Sequence, residues 1–316
     1  MILLLIACAL ISPIVPPRTP ASAIDWIPAD QYPFASRFEE VGEGALHYLD
    51  EGAGDPVVFV HGTPTWSYEW RAQVAALRGD HRVIAPDHLG FGLSDKPAEA
   101  DYRPSAHAAR LATFLDRRDL RDATVVVHDF GGPIGLSWVL DHPDRVAHLV
   151  ILNTWMWSTA DDPRAQRLSA LVAGPIGRYL YLDRNMSPRK LIPWSVGDGF
   201  DANEAFLAPY VNALPDPAHR VAPWRLGVEL AGSADWYGAL WSRVSTLADL
   251  DVTLIWGTED PTFDAAALAR WEAALPRARV VRVDGAGHFP QEEAPDRVNA
   301  VLREVVERPT VDRRPR

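Results

Sequence analysis

One stretch constrains this chain more than any other: residues 125–136, VVVHDFGGPIGL. Three consecutive β-branched residues suit a buried strand, and GPIGLSWVLDHP continues as a helix stopped by Pro143. Between them lie only His128, Asp129, Phe130 and two glycines. Gly131 and Gly132 keep bulk away from the turn and leave φ free, as a sharp strand-to-helix elbow requires. The tip of that elbow is a carboxylate, Asp129. In an open α/β sheet, a residue just past the carboxyl end of a strand stands where sites are built.

The rest of the chain repeats the strand-then-helix rhythm. LHYLDEG, VVFV and RVIAPD read as strands, and SAHAARLATFLDRR has helical spacing. ATVVV and VAHLVILN follow, the latter ending at Asn153. The rhythm then breaks: residues 154–242 are rich in Trp, Pro and Gly, with helical fragments and no clear buried strand. It resumes with VTLIWG, AAALARWEAAL, RVVRVDG and APDRVNAVLREVVE. The expectation is an α/β-hydrolase fold: a mainly parallel, doubly wound sheet, formed by residues 24–153 and 243–307, with a helical cap inserted at 154–242. At 316 residues and 47% hydrophobic content the chain can bury a large core.

Charge and cysteine content exclude several functions. A formal net charge of −11, with no basic cluster, repels a polyphosphate backbone, so nucleic acid is not an expected partner. Cys8 is the single cysteine, which rules out an internal disulfide and a thiolate zinc site. The ten histidines show no helical ligand spacing, and neither a metal nor another cofactor is expected. Residues 1–23 contain the apolar run ILLLIACALI and end in ASA, the form of a signal peptide, and Leu5 to Cys8 has that of a lipoprotein box. The run is too short for a stable membrane span, and no Lys or Arg precedes it. That omission favours a tail segment and a cytoplasmic protein; cleavage after residue 23 would instead imply a periplasmic or secreted one. The basic tail 308–316 reads as disordered.

Three polar residues follow strand ends in turn: Asp129, Asp260 in IWGTED, and His288 in DGAGHFPQEE. Each alone has an ordinary explanation, a helix cap or a solvated loop residue. Together they repeat the nucleophile, acid, histidine order of the α/β-hydrolase triad. No G-x-S-x-G occurs, so there is no serine nucleophile at such a turn. A carboxylate is already nucleophilic at neutral pH and can displace a leaving group from saturated carbon, forming an ester with the enzyme. His288, oriented by Asp260, would then deprotonate the water that hydrolyses that ester. The amides of Phe130 and Thr63, the latter following His61-Gly62, would hold the developing oxyanion.

HGTPTWSYEWR, APDHLGFGLSDKP, VVVHDFGGPIGL, ILNTWMW, LIWGTED and GAGHFPQEEAPDR resemble the haloalkane dehalogenase family, over about residues 32–305. The likeness is to the subfamily whose catalytic acid follows the later strand. It implies Asp129 as nucleophile, His288 as base and Asp260 as acid. Other members carry a Glu after the earlier ILNT strand, where this chain has Trp155, Met156 and Trp157; Glu259 is expected to face away from the histidine. Family members usually hold the departing halide with a Trp after the nucleophile and an Asn after His-Gly, or a Trp of the cap. Here those two positions are Phe130 and Thr63, which leaves an N–H to be supplied by Trp155, Trp157, Trp194 or Trp224. The expected substrate is a small apolar halogenated or strained-ring compound, with water as co-substrate.

Two rival functions follow from the same residues. A β-lactone decarboxylase or an epoxide hydrolase would keep Asp129 and change the leaving group. Opening an epoxide calls for a proton donor, for which Tyr179, Tyr181, Tyr210 and Tyr237 are available. A non-catalytic hydrolase-fold binding protein is the other rival, disfavoured because all three triad positions are filled. Asp87, Gly90 and Gly92 read as turn residues, Trp66 as packing, His142 as a helix terminus, and His128 as a residue without a catalytic part.

Overall fold

The structure, a computed structural model, describes residues 19–309. The apolar run with Cys8, and residues 310–316 of the basic tail, lie outside the described residues. Eight strands form one sheet: β1 (Arg37–Glu40), β2 (Ala45–Glu51), β3 (Pro56–Val60), β4 (Arg82–Pro86), β5 (Ala123–His128), β6 (Val146–Leu152), β7 (Asp251–Gly257) and β8 (Arg279–Val283). Their order is β1-β2-β4-β3-β5-β6-β7-β8. β1 and β2 are antiparallel to their neighbours, and the remaining pairings are parallel. β1 was not among the expected strands; its sequence RFEE carries no run of alternating apolar residues.

The parallel strands read as continuous apolar runs because both of their faces are covered. Val58, Val60, Val125, Val127, Leu149 and Ile151 enter one buried cluster. The alternate residues, among them Val57, Phe59, Val126, Val150 and Leu152, enter the cluster on the other face. Helices α1 (Arg71–Leu77), α2 (Pro104–Asp116) and α3 (Gly131–Asp141) connect the first half of the sheet. Between β6 and β7 come α4 (Pro163–Ala173), α5 (Pro175–Leu182), α6 (Ile192–Ser195), α7 (Glu204–Asn212), α8 (Val221–Gly232) and α9 (Ala234–Trp241). Many of these begin with Pro in the first turn, and Asp162 and Asn203 cap α4 and α7 through their side chains. The core resumes with α10 (Ala265–Ala274), α11 (Pro290–Glu293) and α12 (Pro295–Val306).

The chain crosses the sheet at β3, with β4 on one side and β5 on the other. Such a reversal opens a crevice at the carboxyl ends of the strands. Val60 of β3 pairs with Val127 of β5, so the segment bearing Thr63 and the elbow bearing Asp129 leave the sheet side by side.

Candidate active site

The elbow forms because β5 runs directly into α3. Asp129 has φ 48°, in the left-handed region where a side chain other than Gly is strained. Two close approaches hold it there. A Cβ on Gly132 would stand 1.9 Å from Thr154 Oγ1, and one on Gly62 would stand 2.3 Å from Asp129 Oδ1. Glycine at both positions lets the neighbouring backbones close around the carboxylate. The Thr63 amide donates to Asp129 Oδ1 at 2.8 Å.

The other two expected residues arrive from β7 and β8. His288 Nδ1 lies 2.8 Å from Asp260 Oδ2, and its Nε2 lies 3.6 Å from Asp129 Oδ2. All three side chains are buried. Asp260 is fixed by the Thr262 amide at 2.7 Å and by Asn153 Nδ2 at 2.8 Å. Asn153 was not singled out from sequence. It follows β6 with φ 24°, its carbonyl accepts the Asp129 amide, and its Oδ1 accepts the Gly257 amide at 2.9 Å. One buried amide thus links the elbow, the end of β7 and the acid. Its signal in the sequence is an Asn at the end of a buried strand, where a left-handed residue with a hydrogen-bonding side chain is needed.

Two neighbours behave as expected and one does more. Glu259 accepts the Asp198 amide at 2.9 Å and does not engage the imidazole. Asp87 is buried scaffold, accepting the amides of Ser67 and Leu93 and pairing with His47. His128 stays out of the cavity, but its Nε2 donates to the His288 carbonyl at 2.8 Å. The His288 amide donates to Ser195 O, in the inserted segment, at 2.7 Å. The backbone of the histidine is therefore held from both sides.

The three groups shift one another's protonation. Burial pushes the Asp129 carboxyl up, but the hydrogen bond and charge of His288 outweigh it and hold the group below its ordinary value. Asp260 follows the same pattern, with His288 as the main opposing influence. Burial pushes His288 down, yet the two carboxylates raise it to about 10. The two flanking carboxylates favour the protonated form of the imidazole. Among the described residues, no group of three or more His, Cys, Asp or Glu is arranged to hold a metal ion.

The triad opens into a cavity of about 530 Å³, walled largely by apolar groups including Phe130, Trp155, Tyr181, Leu191 and Phe263. The α/β hydrolase fold family matches residues 55–295. Haloalkane dehalogenase 2 of Mycobacterium tuberculosis is 35% identical over 285 residues, spanning 89% of this chain and 99% of that protein. The chain belongs to the haloalkane dehalogenase family. Cis-3-alkyl-4-alkyloxetan-2-one decarboxylase of Shewanella oneidensis is 31% identical over 290 residues, 84% of this chain and 86% of that protein. The crystal structure of haloalkane dehalogenase DatA from Agrobacterium tumefaciens superposes with a TM-score of 0.74 at 26% identity, over 84% of this chain and 94% of that one.

Among the residues weighed for the family's halide-holding role, Phe130 lines the cavity, with its ring perpendicular to that of Trp155 at 4.7 Å. Thr63 Oγ1 and Trp155 Nε1 are buried and have no hydrogen-bond partner among the described residues. Trp224 is committed elsewhere, donating to Val172 O at 3.0 Å. Trp157 packs against Trp241 and Trp271 and lines a neighbouring cavity. Trp194 lines the triad cavity but stands largely in solvent. The tyrosines divide as clearly. Tyr210 bonds Glu292, Tyr237 donates to Glu229 O, and Tyr179 is exposed. Tyr181 is buried, lines the cavity, and forms no hydrogen bond among the described residues.

Proposed function

We propose that the chain is a cofactor-free hydrolase that cleaves carbon–halogen bonds through an ester on Asp129. One observation carries this reading. The free Oδ2 of Asp129 faces the cavity side of His288 Nε2 at 3.6 Å, while Oδ1 is tied to the Thr63 amide. The imidazole thus stands next to the carboxyl carbon that water must attack once Asp129 is esterified, and the held oxygen sits where an oxyanion forms.

Asp129 Oδ2 attacks the carbon bearing the halogen, the C–O bond forms, and the halide leaves with the bonding pair. The walls are apolar, so a leaving halide depends on the few donors present. Trp155 Nε1 and Thr63 Oγ1 belong to residues lining the cavity, are buried and have no partner among the described residues, and they would supply the hydrogen bonds that Phe130 does not. Alkylation turns Asp129 into a neutral ester. One of the two charges that raise His288 is then gone, so its proton affinity falls and its proton passes to solvent, leaving a neutral base. Neutral His288, steadied by Asp260, takes a proton from water; hydroxide adds to the ester carbonyl, and collapse returns Asp129 and releases an alcohol. The helices of residues 154–242 act as the cap that selects substrates by shape.

A second reading keeps the nucleophile and breaks a strained-ring C–O bond. It is favoured by the uncommitted Tyr181 in the cavity wall and by the oxetanone decarboxylase among the relatives. Bromide release from 1-bromobutane and 1,2-dibromoethane tests the first reading. Release abolished by Asp129→Asn is expected. No release above that control, with turnover of an epoxide or β-lactone that Tyr181→Phe slows, would favour the second.

A further inference from the structure

Among the described residues, the large hydrophobic side chains left exposed all fall within the helices between β6 and β7. Leu168, Leu171, Ile176, Tyr179 and Trp194 are 48% to 67% exposed. α4 buries Ala165, Ser169 and Val172 and turns Leu168 and Leu171 outward; α5 buries Gly177, Tyr181 and Leu182 and turns Ile176 and Tyr179 outward. The two helices pack closely, since a Cβ on Gly177 would stand 2.1 Å from the backbone Leu171 O. Leu168 and Trp194 also line the cavity that holds Asp129. The patch therefore extends to the cavity.

Its charge opposes that of the chain. Residues 161–194 carry Arg164, Arg167, Arg178, Arg184, Arg189 and Lys190 against Asp161, Asp162 and Asp183: six minus three, a net +3 in a chain of −11. All nine are exposed, and none of the six cations forms an ion pair among the described residues. An apolar face rimmed by unpaired cations is the pattern of a surface that lies in the interface of an anionic bilayer. A symmetric pairing with a second copy would set these cations against one another.

We propose that this face docks onto an anionic lipid surface, with the cavity mouth turned to the bilayer so that lipophilic substrates enter from the membrane. The docking does not depend on which bond Asp129 attacks. Among the described residues no helix is long and apolar enough to cross a membrane, and interfacial docking needs none.

The test is sedimentation of the full chain with vesicles of phosphatidylcholine alone or mixed with phosphatidylglycerol. Binding to the anionic vesicles at least about tenfold above the neutral ones is expected, weakening as salt rises. Leu171→Gln with Ile176→Gln, and separately Arg178→Glu with Arg184→Glu, should each lower it by about tenfold. None of these four residues lines the triad cavity, so the circular dichroism spectrum and turnover of a water-soluble substrate should not change. Absence of binding to anionic vesicles would overturn the proposal. Binding undiminished in both variants would also overturn it, by placing the contact elsewhere in the chain. A dimer that Leu171→Gln with Ile176→Gln dissociates would assign the face to a second copy instead.

Discussion

The sheet and the helical insertion meet at one cavity, but they contribute different things to it. Every triad side chain comes from a strand end of the sheet: Asp129 after β5, Asp260 after β7 and His288 after β8. Their spacing is set by strand register and by Asn153, so the chemical groups sit on rigid support. The insertion contributes walls, namely Leu168, Tyr181, Leu191 and Trp194, and a few backbone groups such as Ser195 O. On the proposed mechanism, reaction type belongs to the sheet, and choice of substrate and access belong to the helices. The same division explains the exposed apolar side chains, which the sheet buries and the insertion displays.

Substitutions on the two sides should differ in size and in kind. Asp129→Asn removes the proposed nucleophile and should lower kcat by at least about 10³-fold, read as bromide release. Asp260→Asn leaves the imidazole in place without its partner, and a loss of roughly 10²- to 10⁴-fold is expected. Trp155→Phe removes a donor and keeps most of the ring; the loss of one charge-assisted hydrogen bond, about 1.5 to 3 kcal/mol, should cost about 10- to 100-fold and fall on the halide-forming step. Leu168→Ala on the insertion should change kcat/KM by less than about tenfold and reorder substrates by chain length. A change of reaction type from an insertion variant, or an Asp260→Asn enzyme with unaltered kcat, would break the division.

Stability separates the same regions. Ile151→Ala in β6 leaves a cavity in the buried sheet and should cost about 2 to 5 kcal/mol in denaturant titrations, whereas Leu168→Ala should stay within about 0.5 kcal/mol. The triad adds a pH signature. His288 is raised to about 10 in the fold, against about 6.5 for a free imidazole. Its contribution is fully present below the lower value and is lost as pH climbs toward the higher one. Asp129 and Asp260 are lowered, so their contribution is lost as pH falls through the acidic range. Asp129→Asn removes one of the carboxylates lifting His288, so its thermal midpoint should decline less steeply between neutral pH and pH 10 than that of the unaltered chain. Equal slopes would show that Asp129 does not charge the histidine.

The triad was legible because Asp129, Asp260 and His288 each follow a run of apolar β-branched residues, a local signal that fixes strand and turn together. β1 was not, because RFEE is short and polar and pairs at the sheet edge, where neighbours decide. Asn153 has a local signal, but its partners, Gly257 and Asp260, are more than a hundred residues away. The same limit applied to the tryptophans and tyrosines of the insertion. Trp224, Trp157 and Trp155 are equivalent as letters, and only the fold shows that Val172 takes the first N–H, a tryptophan cluster surrounds the second, and the third N–H has no partner among the described residues. Short helices broken by proline carry a weak periodic signal, so residues 154–242 could be read as helical without the positions of their side chains.

The ester on Asp129 can be observed directly. His288→Phe, incubated with 1-bromobutane and digested, should yield the peptide containing Asp129 heavier by one butyl group, with one bromide released per chain. Bromide released catalytically while that peptide stays unmodified would show that the carboxylate is not alkylated, and would contradict the account.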